Sequence, residues 1–331
     1  MRYGQLSAAA TSQFKVSATR VAGAYLLTSL ALPMATAVAQ QTLAVAGSRG
    51  HAVQERVTFD ARKPETQKSS DQPEGTPNSW AEAATFNEVK VISREGQIPL
   101  RFRQHKVDAK GDTTREVIES KDGNVARLVE RNGQPLTAAE DADERDRLME
   151  DIASPEDFMK HEKRDNATRD DVLQLVRLMP RAMIYSYTPG QPQTGAKEGL
   201  EVVLDFHPDP AFRPPTMYAE MLTGLEGRVW IDARSKCISR IEAHVLRPVN
   251  FGFGVLAKIF PGGTVELEQT RATGDRWAYS HVDEHLTARV LLVKTVPENS
   301  TITSSDFRPM ASQLPYQDAI RLLLAMPVAL R

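Results

Sequence analysis

The residues best placed for chemistry are His281-Val282-Asp283-Glu284-His285. On a β-strand alternate side chains share a face about 7 Å apart, so His281, Asp283 and His285 would project together, with Trp277 and Tyr279 ahead of them on that face. Imidazole and carboxylate suit zinc or copper, which makes a metal-dependent enzyme using His281 and His285 one reading. The same alternation is what the wet face of any half-exposed strand shows, and no fourth ligand is marked elsewhere. The plainer reading is preferred, with no metal and no other cofactor expected.

Other chemistry is thinly represented. Glu266 and Glu268 share one strand face, and Glu201 and Asp205 another, but paired carboxyls work as acid and base only where burial splits their pKa values. Nothing in the pattern indicates such burial. No G-x-S-x-G elbow, P-loop, G-x-G-x-x-G or H-E-x-x-H occurs, so the chain is read as non-enzymatic. Cys237 is the single cysteine, which leaves no intrachain disulfide and no cysteine cluster for zinc. A formal charge of −2 without a basic patch argues against nucleic acid as a partner.

The elements around these residues begin with a leader. Positive charges end at Arg20, a 12-residue stretch rich in apolar residues fills 21–32, Pro33 breaks it, and Ala37-Val38-Ala39 has the small-x-small form of a cleavage site. Residues 1–39 are read as a signal peptide cleaved after Ala39, which implies export to the periplasm. Residues 40–79 are read as a flexible linker, since 62–79 has no aliphatic or aromatic side chain to offset chain entropy. Ser79-Trp80-Ala81-Glu82 has the form of a capping box opening a short helix to about Asn87.

Three strands with Gly-containing turns follow at 100–107, 114–119 and 125–130. A helical insert spans 137–179, with a capping box at Thr137, a Ser154-Pro155 start, and a further helix after Thr168 that stops before Pro180. Strand patterns then return. Leu200, Val202, Leu204 and Phe206 share a face, a turn of helix is expected near 217–222, and a hairpin occupies 227–246. In that hairpin Asp232 is expected to pair with Lys236 across Ala233-Arg234-Ser235. Val229, Ile231, Ile241, Ala243 and Val245 then form one face, and Ile238 joins the polar other. A second hairpin is expected between 255–260 and 264–270 around Pro261-Gly262-Gly263, then one long strand over 277–296. Ile320, Leu323 and Leu324 mark an amphipathic helix in a C-terminal tail, 311–331.

A sheet with one greasy face needs helices to cover it, and incomplete cover leaves a pocket. The expected pocket residues are Leu204, Phe206, Val229, Ile231, Ile241 and Val245.

The ordering of these features resembles the LolA-like periplasmic proteins. The carriers of the likeness are Gly227-Arg228-Val229-Trp230-Ile231-Asp232 turning into Ile238-Ser239-Arg240-Ile241, then Pro261-Gly262-Gly263 and a strand containing Trp277. Their larger relatives, labelled outer membrane lipoprotein-sorting proteins, are closer still, over 99–308. The resemblance implies an α+β fold with a curved antiparallel sheet, an incomplete β-barrel of about eleven strands whose concave face is covered by helices. That domain would span 80–310. The resemblance further implies a carrier for a lipid or a lipoprotein acyl chain. An alternative from the same likeness is an envelope-stress sensor that binds a membrane protein, through 137–179.

Overall fold

The computed structural model describes residues 75–331, apart from 191–192, 195–199, 252–256 and 291–293. The expected leader, its expected cleavage site and the expected linker up to residue 74 lie outside the described residues.

In chain order the elements are α1 (Pro77–Ser93), β1 (Leu100–Asp108), β2 (Gly111–Glu119), β3 (Asn124–Arg131), β4 (Gln134–Pro135), α2 (Ala138–Ala153) and α3 (Pro155–Ala182). Then come β5 (Met183–Tyr187), β6 (Gln193–Thr194), β7 (Leu200–Pro208), a 3-10 turn (Tyr218–Thr223), β8 (Leu225–Asp232), β9 (Ile238–Val245) and β10 (Val249–Phe251). The chain ends with β11 (Ala257–Ile259), β12 (Thr264–Thr273), β13 (Arg276–Val290), β14 (Lys294–Pro309) and α4 (Tyr316–Ala325). All fourteen strands belong to one curved antiparallel sheet. Its main path runs β4-β3-β2-β1-β14-β13-β12-β9-β8-β7-β5, with β10, β11 and β6 attached beside it. The path ends at β4 and β5, so the sheet is an open half-barrel, an α+β architecture as expected from the resemblance.

Several local expectations are corrected. Helix α1 starts earlier and ends later: Thr76 is its N-cap, Ser79 is the reciprocating third residue rather than the cap, and the helix runs on to Ser93. Its apolar stripe, Trp80, Ala81, Ala84, Val91 and Ile92, is buried, which is why it does not stop at Asn87. The two helices expected after Ser154 are one, since the Thr168 hydroxyl donates to the Arg164 carbonyl inside α3 instead of capping a new helix. Pro180 falls in the last turn of α3, where it removes only the bond of its own position and the helix ends two residues later.

The hairpin of β8 and β9 keeps the expected faces but shifts its register. Val229 lies opposite Ile241, the loop is the five residues between Asp232 and Ile238, and Lys236 takes a left-handed φ of 60° within it. A bulge then leaves Ser239 without a partner, so Ile238 faces Ile231 and turns inward rather than joining the polar side. On the outer face Arg240 pairs with Glu242, Glu266 and Glu268, and Arg228 with Asp205. Both acid pairs singled out in the sequence are thus half-exposed members of polar strand faces.

Pro261-Gly262-Gly263 makes a turn but not a hairpin. Gly262 N–H donates to the Val245 carbonyl, and Val245 N–H to that of Gly263, so the turn wraps the end of β9. Strand β12 consequently pairs with β9 and β13, and β11 with β10 and β13. The long strand expected over 277–296 is two, β13 and β14, paired with each other. Strand β14 then pairs with β1, which joins the last strand of the chain to the first.

That junction carries a buried ion cluster. Glu119 accepts from Leu100 N–H at 2.9 Å, from Arg276 Nη2 at 3.1 Å, and lies 3.3 Å from Arg94 Nε just beyond α1. Helices α2 and α4, with the first part of α3, cover β2 and β3 through Ile118, Val125, Leu148, Phe158, Ile320 and Leu323. The tail is thereby an integral part of the core: buried Arg127 donates to the carbonyls of Leu323 and Met326 and pairs with Asp141 at 2.7 Å. Helix α1 and the end of α3 cover β5 to β9.

Gly227 sits opposite Ala243, and a Cβ there would press on the Glu242 carbonyl oxygen and come within 2.8 Å of Ala243 Cα. Backbone cannot yield as a side chain can. Gly227→Val is expected to destabilise the protein by about 3 kcal/mol, read as a lower midpoint in urea unfolding.

Candidate functional site

Between the concave face and helices α1 and α3 lies a cavity of about 110 Å³. The helices contribute Ala81, Ala84, Thr85 and Glu88 from α1 and Val172, Leu175, Val176 and Met179 from α3. The sheet contributes one inward row per strand, including Tyr185 and Phe206, then Val229 and Ile231, then Ile238, Ile241 and Ala243, then Val265 and Leu267, and last Tyr279. Each row follows from period-two alternation, and Ala81 and Ala84 keep α1 close without filling the space beneath it.

Of the six residues expected to line a pocket, Phe206, Val229, Ile231 and Ile241 line this one. Leu204 is fully buried in the same core but does not reach the cavity, and Val245 packs with Met221, Val249 and Ile259 in the neighbouring cluster. The strand alternation that selected them does not distinguish cavity wall from closed core.

One carboxyl stands in this apolar wall. Glu88 is 4% exposed, accepts a hydrogen bond from the Tyr279 hydroxyl, and accepts another from Gln269 Nε2 at 2.7 Å. Burial pushes the Glu88 carboxyl above its usual range, and the two hydrogen bonds offset only part of that rise. Burial and the adjacent Glu88 push the Tyr279 hydroxyl well up as well, so it remains a donor. Helix α1 is also tied down outside the cavity. Asn87 Nδ2 donates to the carbonyls of Ser235 and Lys236, and Lys236 Nζ lies 3.5 Å from the Trp80 ring centroid.

Glu88 and Gln269 were missed at the sequence level, although a signal existed. With α1 extended to Ser93, Glu88 falls on the stripe of Ala81 and Ala84, and an acid on a buried stripe is the informative exception. Gln269 likewise continues the inward row of Val265 and Leu267.

The histidine stretch comes apart. A bulge in β13 leaves Ser280 unpaired, so Tyr279 faces the cavity while His281 faces outward opposite Glu268 and Thr303. Tyr279 and His281 are therefore not on the common face that simple alternation predicts. His285 Nε2 lies 2.9 Å from Asp283 Oδ2, and the His285 and His281 rings also approach Asn299 and Thr303. Among the described residues no group of three His, Cys, Asp or Glu side chains is arranged to hold a metal ion. Cys237 is a half-buried free thiol just before β9, its pKa raised by burial.

The buried polar member of that stretch is Glu284, at 0% exposure, with neither carboxyl oxygen hydrogen-bonded. Burial, reinforced by Glu298 and opposed by Lys106, raises its pKa from 4.5 to about 8. The folded protein thus holds this proton more tightly than the unfolded chain. The associated stability is complete below pH 4.5 and is lost as pH rises to about 8. Thermal melts of Glu284→Gln against the parent across this window should show the variant gaining about 5 kcal/mol by pH 9.

Among the described residues no helix is long and apolar enough to cross a membrane. No protein-family model, no curated protein and no solved structure matches this chain.

Proposed function

We propose that this chain is a non-enzymatic binding or carrier protein for a hydrophobic ligand, a lipid or the acyl chain of a lipoprotein, acting in the periplasm. The observation that carries the reading is the apolar cavity between the sheet and helices α1 and α3. Two further features support it. The leader-like composition of residues 1–39 speaks for export, and an open half-barrel with helices on its concave side is what the likeness to LolA-like proteins implies for an acyl-chain carrier.

The driving force would be burial of methylenes at about 0.8 kcal/mol each. A cavity of ~150 Å³ holds a benzene-sized guest, so 110 Å³ accepts a short segment of chain. A longer chain requires α1 to move away from the sheet. Such a movement would break the bonds of Glu88 to Tyr279 and Gln269 as well as the outer ties at Asn87 and Trp80, with the Arg94–Glu119 pair at the end of α1 left as the pivot.

Organic extracts of protein purified without detergent should yield a lipid by mass spectrometry, and an apolar fluorescent dye should bind the stripped protein. Ala84→Leu, which projects an isobutyl group into the cavity, is expected to raise the melting temperature and weaken dye binding at least tenfold. Dye binding undiminished in that variant would place the ligand elsewhere.

A further inference from the structure

The polar corner of the cavity is short of donors. A carboxylate offers about four lone-pair sites, and Glu88 receives one hydrogen bond from Tyr279 and one from Gln269. Tyr279 has then used its only proton. Gln269 Oε1 is an acceptor without a partner in a side chain 1% exposed. Acceptors thus outnumber donors in a buried cluster, an arrangement that leaves hydrogen-bonding capacity unused. Among the described residues no lysine, arginine or histidine lines the cavity, so none of them would neutralise an anion.

We propose that the cavity selects its occupant by a hydrogen-bond donor: the ligand has an apolar body and a terminal hydroxyl or amino group that donates to the Glu88 carboxyl. This rests on the reading of the cavity as a binding site. The apolar body inside the cavity is at most about six carbon atoms, since a hole about a third larger takes a six-carbon benzene. Carboxylate and phosphate head groups are refused, because they bring further acceptors and a negative charge to a corner that already holds both. An anionic lipid could enter only by its tail, with its head group outside.

Isothermal titration calorimetry of the full chain at pH 7 tests this with four probes: hexan-1-ol, hexylamine, methyl pentyl ether and hexanoate. The ether is an isomer of the alcohol that lacks the donor. Hexanol or hexylamine is expected to bind at least tenfold more tightly than the ether and hexanoate, and the alcohol and amine arms separate a neutral donor from a cationic one. In Glu88→Leu the advantage should fall below threefold. Infrared difference spectra of the unmodified protein supply a readout that needs no folded variant: the carboxyl band should shift on adding hexanol and stay in place with the ether. Equal affinity for alcohol and ether, or an unshifted band, overturns donor selection and leaves the apolar cavity standing. Binding of none of the four overturns both.

Discussion

The buried carboxylate of Glu119 governs where everything else can lie. It collects the first amide of β1, the guanidinium of Arg276 on β13 and that of Arg94 beyond α1. Strands from the two ends of the chain and the end of the helix above the cavity thus meet at one residue. Removing one member of such a set leaves the others buried and uncompensated, which commonly costs 3–5 kcal/mol by rough precedent. With the end of α1 anchored there and its Glu88 bonded to Tyr279 and Gln269 of the sheet, the helix is held over the sheet at a set height, and the cavity beneath is a consequence of that height.

The layout follows a problem of cover. The four helices of the described residues cover the concave face of this wide sheet without closing all of it. One group of helices, α2, α4 and the start of α3, seals β2 and β3 with bulky side chains, including Phe158 stacked on Tyr316. Over the cavity the side chains from α1 are small or polar, Ala81, Ala84, Thr85 and Glu88, and there the fit is incomplete. Density at one end of the sheet and a gap at the other come from the same construction with different side-chain volumes.

Much of the fold was legible in the sequence because alternation and capping are local. The three N-terminal strands, the Thr137 capping box, the inward row of Val229, Ile231, Ile241 and Ala243, and the C-terminal helix follow from patterns a few residues long. What escaped depends on distant partners. The extension of α1 past Asn87 requires the sheet beneath it, and the division between β13 and β14 requires β1 as a neighbour. The assignment of the Pro261 turn depends on the end of β9. The candidate site was half legible for the same reason. Strand rows named four wall residues, whereas Glu88 and Gln269 acquire meaning only when helix and sheet face each other.

The two bulges, at Ser239 and Ser280, behave as parity switches. In a strand, which side a residue occupies is a matter of odd or even count, and an unpaired residue resets that count for everything on its far side. The bulge at Ser280 therefore decides that a tyrosine, and not a histidine, faces the cavity. The chemistry of such a wall can change over descent without any substitution of its side chains. A residue gained or lost within the regular ladder exchanges the inner and outer residues of a whole strand segment at once, whereas one taken up as a bulge leaves them on their faces.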